Sequence, residues 1–348
     1  SFDIDGDGDN DLVSADFADN SPDFSVRRND GTGTFSEIEH GENVARSIRL
    51  ASADLDNDGD LDLITSKRGA GVVLWKNDGS GTFSVLQDVI AGQYVLGLDT
   101  NDYNNDGHID IAFHDSYDQS TNSLYVMLNN GTGSMNAPTS YMIAVGPQGD
   151  VSGGDIDGDG DIDLVIGNRV ENEVTIMKND GNGVFERDTA NRIAIDGGLI
   201  NPLIADFDGD GDLDIAGVRG YGNAHEFHFF QNNGSGQFVS AFSLDIPGEQ
   251  TALADIGDVD QDGDIDVVLG IEGTSIQLIQ NLGAGQFKKA ATYSNGGSFG
   301  GILTDLNGDT FPDLVGVNSS NDFTIHLNQI GMTEVIVSSD SESIADPL

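Results

Sequence analysis

The chain contains no cysteine, so neither a disulfide scaffold nor a thiolate metal centre is available to it. Proline is scarce, at 7 residues, and basic residues are scarcer than acidic ones by far, with 14 Lys plus Arg against 60 Asp plus Glu. A formal charge of −46 excludes nucleic acid and anionic lipid as natural partners, because both are bound through basic surfaces. No apolar run approaches the roughly 20 residues a membrane-spanning helix needs. No segment keeps an apolar period of 3.6 residues, so almost no helix is expected. The sequence opens inside a motif, at Ser1-Phe2-Asp3, as a piece of a larger polypeptide would.

What is present is a repeat. The pattern D-x-[DN]-x-D-x-x-x-D occurs seven times, starting at Asp3, Asp54, Asp102, Asp155, Asp206, Asp258 and Asp305, at steps of 51, 48, 53, 51, 52 and 47 residues. A second landmark follows each copy by 23 to 27 residues. It reads Asn29-Asp30-Gly31-Thr32-Gly33-Thr34-Phe35 in the first unit and returns at Asn77, Asn179, Asn232 and Asn281. At Asn129 it ends in Met135, and at Asn328 it has decayed to Asn-Gln-Ile-Gly. Asn-Asp-Gly and Asn-Asn-Gly are hairpin-turn signals, since these residues tolerate positive φ.

Short apolar runs of strand length lie between the landmarks. In the second unit they span residues 47–53, 61–65, 72–76 and 82–86, four strands joined by turns. A four-stranded antiparallel unit of about 50 residues buries too little alone, and packing such units around an axis buries both faces. The expected fold is therefore all-β, a seven-bladed β-propeller over residues 1–338 with four antiparallel strands per blade. Residues 339–348 form a tail or a ring-closing strand, with Ser343-Ile344-Ala345-Asp346 echoing Leu203-Ile204-Ala205-Asp206.

Alternate residues of a tight loop can aim oxygens at one hard cation, and Ca²⁺ takes six to eight of them. Counting from the first Asp, positions 1, 3, 5 and 9 are the expected side-chain ligands. They are Asp3, Asp5, Asp7 and Asp11; Asp54, Asp56, Asp58 and Asp62; Asp102, Asn104, Asp106 and Asp110; Asp155, Asp157, Asp159 and Asp163; Asp206, Asp208, Asp210 and Asp214; Asp258, Asp260, Asp262 and Asp266; and Asp305, Asn307, Asp309 and Asp313. Position 7 should add a backbone carbonyl, from Asp9, Asp60, His108, Asp161, Asp212, Asp264 and Phe311. Up to seven Ca²⁺ would contribute +14 and leave the chain at −32, still strongly acidic. Position 6 is Gly except in the seventh loop, where Thr310 faces the cost of positive φ; that loop is expected to differ in shape or bind weakly. Position 12 is Ser14, Thr65, Phe113, Ile166, Gly217, Leu269 and Gly316, with no Glu, so these are not EF-hands.

Asp-x-Asp-Gly-Asp-Gly-x-x-Asp-Leu followed by Asn-Asp-Gly-x-Gly-x-Phe resembles the FG-GAP/VCBS repeat, which builds the head of integrin α subunits and many bacterial surface proteins. The resemblance covers nearly the whole chain. It implies a propeller with calcium between the first and second strands of each blade, an extracellular or cell-surface location, and a recognition or adhesion role toward a carbohydrate or protein. It also places any ligand on the face opposite the calcium loops, where Arg68, Arg169, Arg219 and Tyr221 fall, along with Tyr94, Tyr117 and His114. Trp75 could stack on a sugar, but its strand position points to blade packing. No catalytic constellation stands out: His225-Glu226-Phe227-His228 is not H-E-x-x-H, and neither a nucleophile elbow nor a phosphate loop occurs. A binding module is the expected function, and a polysaccharide-processing enzyme or its accessory propeller is the alternative.

Overall fold

Apolar residues at every second position of a strand face one side, so a strand with apolar residues on both sides must be covered twice. The second unit shows this. A computed structural model of the chain describes residues 1–15, 23–36, 39–40, 47, 49–67, 71–91, 95–115, 123–143, 149–168, 170–219, 225–246, 251–271, 275–294, 298–318 and 323–328. In it, Leu63, Val73 and Trp75 of the second unit pack against Phe2, Ile4, Phe24 and Val26 of the first. Their alternates Ile64, Val72 and Leu74 pack against Val95, Ile111, Phe113 and Met127 of the third.

The described residues form seven antiparallel sheets, one per repeat unit; the first and seventh have three strands and the others four or five. In the second sheet the strands are Leu50–Ala53, Asp62–Lys67, Gly71–Asn77 and Phe83–Val89, paired in chain order. These bounds lie within a few residues of those read from the sequence. Strands preceding the Asp loops, such as Leu50–Ala53, Val95–Asn101, Val151–Gly154, Leu203–Ala205, Thr251–Gly257 and Ser298–Thr304, touch one another in succession and line the centre. Seven apolar clusters fill the interfaces between successive sheets. The last joins Leu306 and Val315 of the seventh sheet to Leu12 of the first, which closes the ring. Asn10 Nδ2 reinforces that junction by donating to the Asp305 carbonyl at 3.1 Å. The arrangement is a β-propeller. The expected last strand near residues 333–338 and the tail 339–348 lie outside the described residues.

Trp75 is 1% exposed and meets Phe24 of the neighbouring sheet edge-on at 5.2 Å, while its indole N–H donates to Thr65 Oγ1 at 2.9 Å. It packs between blades, as its strand position implied.

Candidate metal centres and the clamps beneath them

Six of the Asp loops join the first described strand of a sheet to the second, and the loop at Asp3 leads into its sheet at Leu12–Ala15 from the isolated Phe2–Asp11 bridge, so all seven open on one face of the ring. Their backbone is held by their own carboxylates. The position 1 carboxylate accepts the position 6 N–H in every loop, for example Gly8 to Asp3 at 3.0 Å and Gly107 to Asp102 at 2.7 Å. The position 5 carboxylate accepts the position 7 N–H, as from Asp60 to Asp58 at 3.1 Å. Positions 4 and 6 both sit at positive φ. Position 4 is filled by Gly, Asn57, Asn105 or Gln261.

Thr310 adopts φ 72° and donates its N–H to Asp305 Oδ2 at 2.8 Å, the bond its Gly counterparts make. The expected change of shape in the seventh loop is therefore absent, because that hydrogen bond holds the turn against the side-chain penalty. Thr310→Gly should raise the unfolding free energy by about 1 kcal/mol in a urea titration, since Gly carries no Cβ at positive φ. A loss of stability would mean that the Thr side chain contributes contacts exceeding its strain.

The structure brings Asp54, Asp56 and Asp58 together, with one carboxylate oxygen from each within 4.8 Å of the others. It does the same for positions 1, 3 and 5 of the fourth, fifth and sixth loops, and for Asp3, Asp5 and Asp11 of the first. The third and seventh loops have Asn at position 3 and so fewer carboxylates. The position 3 Oδ1 atoms of Asp5, Asp56, Asp157 and Asp260 are buried and accept no hydrogen bond. Orphaned carboxylate oxygens beside two further carboxylates fit a divalent cation. Ca²⁺, which accepts carboxylate and carbonyl oxygen alike, suits this donor set. The residues that would hold it are positions 1, 3, 5 and 9 with the position 7 carbonyl; in the first loop the position 9 carboxylate of Asp11 lies within 4.8 Å of Asp3 and Asp5.

Position 9 does something the sequence did not reveal. Asp11, Asp62, Asp110, Asp163, Asp214, Asp266 and Asp313 are all buried. In each, one carboxylate oxygen accepts the N–H of the Asn that opens the later turn, at 2.8 Å from Asn77 to Asp62 and 2.7 Å from Asn129 to Asp110. In all but the fourth unit the second oxygen accepts the position 2 N–H, as from Leu55 to Asp62 at 3.0 Å. Burial first, and repulsion from the loop carboxylates in addition, pushes these groups up, to about 6 for Asp62, Asp110 and Asp313 and about 7 for Asp163, Asp214 and Asp266.

The Asn side chains complete the joint. Each donates to two carbonyls, one in its own loop and one at position 2 of the preceding sheet's loop. Asn77 reaches Ile4 at 2.8 Å and Leu61 at 3.2 Å. Asn129 reaches Leu55, Asn179 Tyr103, Asn232 Ile156, Asn281 Phe207 and Asn328 Val259. Asn29 of the first sheet closes the circuit on Leu306 of the seventh at 2.7 Å. Seven buried amides thus staple each sheet to the loop of its neighbour. The signal was available: in the seventh unit the turn has decayed but Asn328 remains, so the Asn is kept for something other than the turn.

On the opposite face, Arg219 follows the strand Asp214–Val218 and pairs with Asp196 at 3.3 Å and Glu226 at 3.2 Å. Arg68, Arg169, Tyr221, Tyr94 and Tyr117 lie outside the described residues. His114 is fully buried with Nε2 2.6 Å from the Gly149 carbonyl, so it packs rather than faces a ligand. His225 and His228 are three apart on one strand and point to opposite sides, so they do not converge on a metal.

A propeller with carboxylate loops on one face is the class these observations define. The chain belongs to the FG-GAP-like repeat family, whose model matches residues 3–65, 54–113, 102–166, 155–217 and 258–316. Each matched stretch runs from one Asp loop through the next. No curated protein matches the chain. Among solved structures it is similar to a putative 6-phosphogluconolactonase from Bacteroides fragilis, at 15% identity and TM-score 0.69, covering 95% of this chain and 94% of that one. It is also similar to BBS1N in complex with ARL6DN, at 12% identity and TM-score 0.63, covering 96% and 92%. The V. cholerae biofilm matrix protein Bap1 aligns at 10% identity and TM-score 0.50, covering 92% and 73%. At these identities the likeness is one of fold.

Proposed function

We propose that the protein is a calcium-stabilised propeller that works outside the cell or on its surface as a recognition and adhesion module for a carbohydrate or protein, and not as an enzyme. The observation that carries the calcium reading is the set of buried, unpartnered Oδ1 atoms of Asp5, Asp56, Asp157 and Asp260, each set beside other loop carboxylates. Membership of the FG-GAP-like family and the likeness in fold to a biofilm matrix protein support the extracellular role. Among the described residues no helix is long and apolar enough to cross a membrane. Calcium on one face stiffens the sheets, and the far face, where Arg219 lies, is left to meet the ligand.

A glycan array read with and without EGTA tests this, alongside capture of extracellular proteins. Calcium-dependent binding of an acidic glycan, reduced about tenfold or more in Arg169→Ala or Arg219→Ala, is the expected result, because a guanidinium holds a carboxylate bidentately. Depolymerisation of an acidic polysaccharide by the purified chain would make it an enzyme and overturn the reading. So would the absence of any glycan or protein ligand.

A further inference from the structure

In five of the seven sheets the residue just before the staple Asn reaches the position 3 carboxylate of the same sheet's loop. Arg28 Nη1 donates to Asp5 Oδ2 at 2.8 Å, Lys178 Nζ to Asp157 Oδ2 at 2.7 Å and Gln231 Nε2 to Asp208 Oδ2 at 2.5 Å. Lys76 bonds both Asp56 and Asp58, and Gln280 bonds Asp260. In the third and seventh sheets the same place holds Leu128 and Leu327, and there position 3 is Asn104 and Asn307. Donor and carboxylate are present together in five sheets and missing together in two. In the first, second, fourth and sixth loops the arm takes Oδ2, while Oδ1 stays buried and unpartnered.

The loops therefore differ in charge. Counted over the side chains at positions 1, 3, 5 and 9 (the position 7 Asp of the first, second, fourth, fifth and sixth loops adds one more negative charge to each), the first, second and fourth carry four carboxylates and a cationic arm, for a net −3. The third and seventh carry three carboxylates and no arm, also −3. Only the fifth and sixth, with neutral Gln arms, keep −4.

We propose that these arms set the calcium affinity of their own loops, so that the fifth and sixth loops form a tight adjacent pair and the other five bind more weakly. This rests on the calcium reading above. An ammonium or guanidinium bonded to a ligand carboxylate stands within a few ångströms of any bound ion. A unit charge repelling a divalent ion at about 5 Å, in a water-like dielectric, weakens binding on the order of tenfold. The same cation steadies the empty loop by offsetting carboxylate repulsion. It acts as a resident counter-ion that calcium must push aside. The Gln arms orient Oδ1 without that opposition.

Native mass spectrometry during a calcium titration, with calorimetry, tests the proposal on the whole chain. The wild type should fill two sites at concentrations about tenfold below the rest. Gln231→Lys and Gln280→Lys should each move one site from the tight group to the weak one. Lys76→Gln and Lys178→Gln should each move one site the other way, with a lower melting temperature in EGTA. A purely structural arm would lower the melting temperature with and without calcium alike and leave the dissociation constants unmoved. That outcome, or unchanged titrations in the Gln-to-Lys pair, overturns the proposal while leaving the calcium reading intact. A wild type that takes up no ions at all would instead remove the calcium reading and this proposal with it.

Discussion

Chelating calcium at neutral pH should lower the melting temperature by more than about 10 °C. A ligand present at a hundred times its dissociation constant adds about 2.7 kcal/mol per site, and several sites acting on one ring sum to that effect or more. The cause is visible in the loops. Carboxylates gather within 4.8 Å of one another in five of them, and position 3 oxygens are buried without a donor. A bound divalent ion would relieve both at once.

The pH dependence should change sign with the metal. In the unfolded chain the position 9 carboxylates titrate near 3.8, and in the ion-free fold burial pushes them all up, Asp62, Asp110 and Asp313 to about 6 and Asp163, Asp214 and Asp266 to about 7. Between those values the folded state holds more protons than the unfolded one, so its stability grows as pH falls. In EGTA, the melting temperature should therefore rise from pH ~7 to pH ~5. With calcium it should fall over the same range, because protons compete for the loop oxygens. Differential scanning fluorimetry across pH, with and without EGTA, reads both slopes. Parallel slopes would contradict a shared site for proton and ion.

Removing one staple should also be costly. Asn281 is fully buried, and its amide donates to the Phe207 carbonyl at 2.8 Å and to the Ile265 carbonyl at 3.2 Å. Asn281→Ala leaves two buried carbonyls without a donor and opens a junction between sheets, a loss of about 2–4 kcal/mol. Asn281→Asp should cost more, since it sets a buried carboxylate against two carbonyl oxygens. Urea unfolding measures both. Values within about 0.5 kcal/mol of wild type would show that the staple is an ornament of packing rather than a joint.

The architecture was legible because its signals are local and repeated. Alternating apolar residues gave the strands, Asn-Asp-Gly gave the hairpins, and the seven Asp patterns gave the loops. The joints between sheets were not legible in the same way. Asn77 read as the start of a turn, yet its side chain works 73 residues away, at Ile4. Asp62 read only as a metal ligand, yet its two oxygens also accept N–H groups, one of them from the Asn of the later turn. Such roles depend on which chain segments the ring brings together, and spacing within one repeat does not encode them. Thr310 left the shape of its loop unchanged, because it keeps at φ 72° the hydrogen bond its Gly counterparts make.

Elemental analysis of the purified chain after dialysis against calcium-containing buffer bears most directly on whether the clustered acids exist to hold ions. Several calcium ions per chain, up to seven and falling with Asp54→Ala or Asp206→Ala, are the expected count. A calcium content indistinguishable from the dialysis buffer would contradict it.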